Sequence, residues 1–324
     1  MPNANRLMRK LVEALTLAVA FAWAAGSPLP ARAAVSVVDD AGRTVTLAQP
    51  AARVISLAPH TTELVYAAGG GARLVGAVSY SDYPPEANAL PRVGSNSALD
   101  LERIVALRPE LIVVWRHGND TRQLDKLRAL GIPLFVSEPH KVDDVATNLD
   151  RLGTLLGTES TARAAAQRYR DEIARLRARY AARPVVSVFY QVWDRPLLTL
   201  NGAHIVSDAI ALCGGRNVFG ELAARVPTVS VEAVVAANPE AIVTAAKGAT
   251  APSRDAPLPD LARWRAWPHM TAVARGNLFA IDGDLINRPG PRLAEGIDAL
   301  CRDLETARAK RPASGAAARA SDSH

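Results

Sequence analysis

Short apolar runs alternate with amphipathic stretches along most of this chain. Arg53–Ala58, Arg73–Val78, Glu110–Trp115 and Ile132–Ser137 each read as a buried strand of the kind a parallel sheet uses. Between them lie helical stretches with start and stop signals. Thr61 or Thr62 is placed to cap a helix running to Ala68, stopped by Gly69, Gly70 and Gly71. Asp100 is placed to cap a helix over Leu101–Leu107, and Pro109 closes it. Residues 121–131 form an amphipathic helix ending at Gly131. From Val142 to Tyr180 the pattern is helical with no strand, and residues 158–182 alone predict a helix of roughly 37 Å. The strand–helix rhythm then restarts, with strands at 185–190 and 277–281 and helices at 204–215 and 292–307. The fold class expected is α/β, with two Rossmann-like parallel-sheet lobes at residues 34–157 and 183–308, bridged by one long helix.

One phrase is written twice. LERIVALRPELIVVW at 101–115 and VEAVVAANPEAIVTA at 231–245 share a frame: Glu, one residue, two β-branched residues, Ala, two residues, Pro-Glu, one residue, Ile-Val. It falls at an equivalent place in each expected lobe. Asp100 and Ser230 stand two residues before the glutamates, where each can act as an N-cap, and a carboxylate in a first helical turn is favoured by the helix dipole. Local physics thus accounts for Glu102 and Glu232 singly, but not for their shared frame.

The ends and the charge narrow the class. Arg6, Arg9 and Lys10 precede an apolar segment at 11–25, and Ala31-Arg32-Ala33 follows as a small-residue cleavage site, so residues 1–33 read as a signal peptide for export to the periplasm. No cysteine follows the apolar segment to carry a lipid anchor. Residues 309–324 lack apolar periodicity and read as a disordered tail. The whole chain carries +6, of which residues 1–33 supply +3; this is too mild and scattered a charge for nucleic-acid binding. Cys213 and Cys301 are the two cysteines, and in an oxidising compartment they read most simply as one disulfide, with free thiols the alternative. The chain has no G-x-S-x-G, H-E-x-x-H or C-x-x-C, and the repeated glutamates lie on separate lobes, so a secreted hydrolase is a poor reading and no enzyme is expected.

Residues 53–94 and 99–119, with SYSDYPP, CGGRNVF, VSVEAV and the terminal cysteine helix in order, carry a family likeness over about residues 53–305. The chain resembles the periplasmic (class III) substrate-binding proteins of ABC importers for cobalamin, haem and ferric siderophores, and among them the cobalamin binders. The resemblance implies two lobes joined by a rigid helix, a ligand held in the cleft between them, and no cofactor of the protein's own. It implies a corrinoid ligand, with haem or a ferric siderophore as the alternative. It implies a monomer that docks on a permease dimer with its ATPase subunits, through Glu102 on one lobe and Glu232 on the other, each received by permease arginines. Carried over position by position, it assigns ligand contacts to Tyr80, Trp115, Asp284 and Arg288. Three aromatic positions of the cobalamin binders fall instead on Asn96, Leu198 and Val226, and Trp193 is placed to supply replacement surface. Tyr83 reads as structural. His60 and His117 fall near the cleft and read as packing or surface residues rather than metal ligands, since no set of histidines with carboxylates can be assembled.

Overall fold

The apolar runs become two separate parallel sheets. In the computed structural model, residues 34–246 and 259–312 are described. The expected signal peptide (1–33) and most of the expected tail lie outside them. The chain opens on an antiparallel hairpin, β1 (Val35–Val38) with β2 (Thr44–Leu47). The first lobe then runs β3 (Val54–Ser56), α1 (Pro59–Ala67), β4 (Leu74–Ala77), α2 (Leu101–Ala106), β5 (Leu111–Val114), α3 (Thr121–Ala129), β6 (Leu134–Val136) and α4 (Asp144–Leu156). Helix α5 (Glu159–Tyr180) leads to the second lobe: β7 (Val186–Gln191), α6 (Ile205–Leu212), β8 (Gly215–Asn217), α7 (Val231–Ala237), β9 (Ala241–Ala246), the short α8 (Thr271–Ala274), β10 (Leu278–Asp282), the short α9 (Gly283–Ile286), and α10 (Leu293–Ala309).

The sheets are ordered β4-β3-β5-β6 and β8-β7-β9-β10, parallel throughout. Counted within each lobe, both read second, first, third, fourth. The repeated phrase occupies the same place in each, a helix (α2 or α7) leading into the third strand (β5 or β9). Every residue of β3 and β5 is buried, which is why these strands are uninterrupted apolar runs. In such a sheet the crevice for a ligand lies outside the carboxyl ends of the strands, where the order reverses beside the first strand.

The bridge is made by small residues. Ala162, Ala165, Ala166, Tyr169, Ile173, Leu176 and Tyr180 form the buried face of α5. Its alanines let α4 come so close that a Cβ on Gly153 would lie 2.4 Å from the Ala162 methyl, so that position has room only for glycine. One apolar core runs from Leu64 and Val113 of the first lobe, along α5, to Val188 and Val243 of the second. The 22 residues of α5 span roughly 33 Å at 1.5 Å per residue.

Two expectations shift. Helix α1 starts at Pro59, capped by Ala58, before the threonines expected to cap it; proline's fixed φ suits a first helical position. Thr61 instead accepts the Ala58 N–H from inside the first turn, and both threonines bond the Ser56 hydroxyl. The last helix reaches Ala309, and Arg311 beyond it clamps the Glu240 carboxylate through two bonds of 2.9 and 2.8 Å, so residues 309–312 belong to the folded lobe rather than to the tail. The disulfide joins Cys213, the C-cap of α6, to Cys301 in α10, with the Cα atoms 4.8 Å apart.

Candidate functional site

At one end of the interlobe cleft, a cavity of about 360 Å³ is walled by both lobes. The first lobe contributes Tyr80 and Asp82 from the segment after β4; the second contributes Ala245 and Ala246 at the end of β9, and Gly283, Asp284, Asn287 and Arg288 after β10. All of these lie at or beyond carboxyl ends of strands. Tyr80 is 70 % exposed and sits at φ 64°, the left-handed region that a bulky residue enters only where its surroundings hold it. Three of the residues expected from sequence, Tyr80, Asp284 and Arg288, therefore meet in one cavity.

In the wall of that cavity and behind it, five charged groups from the two lobes interlock. Arg288 donates to Asp82 (2.7 Å) and Glu63 (3.2 Å) of the first lobe, and pairs with Asp284 of its own (2.8 Å). Arg292 grips Glu63 through both of its oxygens, at 2.9 and 2.6 Å, a bidentate charge-assisted contact. The Tyr83 ring lies under the Arg292 guanidinium at 3.8 Å. Partial burial raises the Asp82 carboxyl, but the bond and charge of Arg288 outweigh it and hold the group below its ordinary range. The bond to Glu63 raises the Arg292 guanidinium, and the carboxylates around Arg288 raise that group too, against the opposite pull of burial.

Trp115 lies away from this cavity, directly after β5. Its indole N–H donates to Glu138 at 3.3 Å, its backbone N–H donates to Asn119 at 2.7 Å, and the His60 ring meets it edge-on with centroids 5.4 Å apart. Gly118 lies so close that a Cβ there would sit 1.9 Å from the indole ring. Asn96 donates to the Gly118 carbonyl and accepts from Asn119, so its polar groups brace the Trp115 loop. Trp193 is 63 % exposed, its indole N–H on the Arg195 carbonyl. Val226 is exposed, and Leu198, half-buried, bridges Trp193 and Thr228.

The histidines differ in kind. His60 is buried, its pKa lowered to about 3 by desolvation, with the Ser137 carbonyl acting the other way and Arg288 adding to the fall. Its Nε2 is buried without a hydrogen-bond partner. His117 is half-exposed and paired with Glu138 at 2.8 Å. His140 meets Arg225 of the second lobe at 2.8 Å. Among the described residues, no group of three or more His, Cys, Asp or Glu could hold a metal ion.

Glu102 and Glu232 occupy the first turns of α2 and α7, both exposed. Asp100 caps the first helix by accepting from the Arg103 N–H at 2.9 Å, and Ser230 caps the second by accepting from the Ala233 N–H at 3.1 Å. Bonds from its own backbone N–H and from Ser230 hold the Glu232 carboxyl below its ordinary range. Sequence reasoning missed Glu63, Asp82 and Arg292. A signal for Glu63 was present: it is a lone acid among the apolar and threonine positions that α1 buries.

Comparison with known proteins shows the family. A family model described as "Periplasmic binding protein" matches residues 54–285. The chain is 37 % identical over 264 residues to a vitamin B12-binding protein of Vibrio parahaemolyticus, covering 81 % of this chain and 93 % of the relative. It is 38 % identical over 278 residues to a vitamin B12-binding protein of Yersinia pestis, covering 86 % and 94 %. Among solved structures it is similar to the periplasmic vitamin B12-binding protein of Vibrio cholerae, with TM-score 0.72, 36 % identity, and 80 % and 98 % of the two chains covered. It is also similar to a periplasmic haem-binding protein of Roseiflexus, with TM-score 0.66, 26 % identity, and 79 % and 98 % covered.

Proposed function

Starting from a chain that belongs to the periplasmic binding protein family, we propose that it captures a corrinoid, cobalamin or a close relative, in the interlobe cleft and hands it to an ABC importer. It acts in the periplasm by binding and release, without turnover. The observation that carries this reading is the paired likeness: vitamin B12-binding proteins match at 36–38 % identity over nine-tenths of their own length, and the cleft has a polar end suited to the amide arms that corrinoids bear. In this reading Tyr80, Asp284 and Arg288 meet the periphery of the ligand. Trp115 and Trp193 offer the apolar faces that a broad macrocycle needs. Asn96 contributes by fixing the Trp115 loop. The importer's permease is a dimer with two equivalent docking sites, one for Glu102 and one for Glu232, and each carboxylate meets arginine there.

The test is calorimetric titration of the mature protein with cyanocobalamin and, separately, hemin. One-to-one binding of cyanocobalamin is expected. Binding of hemin or a ferric siderophore in its place would overturn the corrinoid assignment and leave the fold and family standing.

A further inference from the structure

The polar end of the cleft has a sign. Glu63, Asp82 and Asp284 face Arg288 and Arg292, so the acids outnumber the bases by one. Their placement matters more than the count. The side chains of Arg288 and Arg292 are 12 % and 17 % exposed, and that of Glu63 only 2 %. Those of Asp82 and Asp284 are 46 % and 40 % exposed, and both line the cavity. Arg292 and Glu63 pair within the seam between the lobes, Arg288 reaches the cavity wall largely covered by its partners, and the Asp82 and Asp284 carboxylates are the most open of the five groups. Each aspartate meets Arg288 through Oδ1, at 2.7 and 2.8 Å, so Oδ2 stays outside that bond. Arg288 therefore orients two acceptors more than it presents a donor.

We propose that Asp82, with Asp284, is a specificity-determining residue: the pair accepts N–H donors from neutral carboxamide arms and rejects a macrocycle whose arms are carboxylates. This rests on the corrinoid reading and sharpens it. A primary amide brings two N–H donors to two acceptors. A carboxylate arm brings only acceptors and a like charge, which leaves both sides unpaired and repelled. Asp82 stands two residues from Tyr80 in the chain and is bonded to the second lobe through Arg288.

The experiment uses probes that differ in one arm. Wild type and Asp82→Asn are titrated calorimetrically at pH 7.5 with cyanocobalamin, with each of its isomeric monocarboxylic acids, and with hemin. The wild type should bind at least one acid isomer about tenfold or more weakly than cyanocobalamin. Asp82→Asn should narrow that gap for the same isomer severalfold, through stronger binding of the acid, weaker binding of cyanocobalamin, or both. Asp284→Asn should narrow it too. An unchanged gap in Asp82→Asn, or no isomer discriminated by the wild type, would overturn the proposal. So would tight hemin binding alongside tight cyanocobalamin binding, with the corrinoid reading left intact. Hemin binding with no cyanocobalamin binding would instead bring down the corrinoid reading and this inference with it.

Discussion

His60 is neutral because it is buried, and that neutrality makes the fold sensitive to acid. Its pKa is near 3 in the folded protein against 6.5 for a free side chain. A depressed folded value means the unfolded chain binds the proton first. The contribution to stability is complete above pH 6.5 and is lost as pH falls toward 3. Between pH 7 and pH 5 the loss from this one group is about 2 kcal/mol. His204, lowered to about 4 by burial with Arg225, His140 and His117 adding to the fall, acts in the same direction. Urea midpoints at the two pH values should fall more steeply for the wild type than for His60→Asn, and parallel slopes would show that His60 is not held neutral. Tyr80, Asp284 and Arg288, which line one cavity, were reachable from the sequence through the family likeness carried over position by position. Glu63, Asp82 and Arg292 were not, because their roles come from partners more than 200 positions away in the chain.

The elements follow from local rules more fully. Each parallel strand was visible as an apolar run, except β8. That strand is Gly215-Arg216-Asn217, an edge strand with no buried residue, so it leaves no apolar trace. The β1–β2 hairpin was also missed, since its strands are four residues long and only Val45 and Leu47 are buried. Helices α6 and α10 are held at their junction by the Cys213–Cys301 bond. Arg308 reinforces it by donating to the carbonyls of Cys213 (2.7 Å), Gly214 (2.9 Å) and Pro184 (2.8 Å). The 88-residue separation gives the bond about 4.6 kcal/mol in the chain-entropy treatment. The double variant Cys213→Ser/Cys301→Ser should lose most of that in urea titration. A loss below 1 kcal/mol would mean that Arg308 and the surrounding core hold the junction unaided.

At the scale of the molecule, the shared strand order explains why the repeated phrase was legible in the sequence. It is the helix and third strand of one architecture used twice. The double variant Glu102→Ala/Glu232→Ala should bind cyanocobalamin as the wild type does, since both side chains are exposed on α2 and α7. Uptake through the cognate importer should be abolished, and normal uptake by the double variant would remove the docking role. The cleft's electrostatic polarity was not legible, because it depends on which ends of five charged side chains face the solvent. Helix α5 carries one further consequence. It runs with a continuous core from lobe to lobe, and the Glu63–Arg292 pair ties the lobes again across the seam. If docking runs through Glu102 and Glu232 as proposed, lobes tied together in this way would let an unloaded copy present the same pair of carboxylates and compete with loaded ones for the same gate. Delivery would then follow the loaded fraction of the binding protein rather than its total amount, and making more of it in scarcity would slow the import it serves.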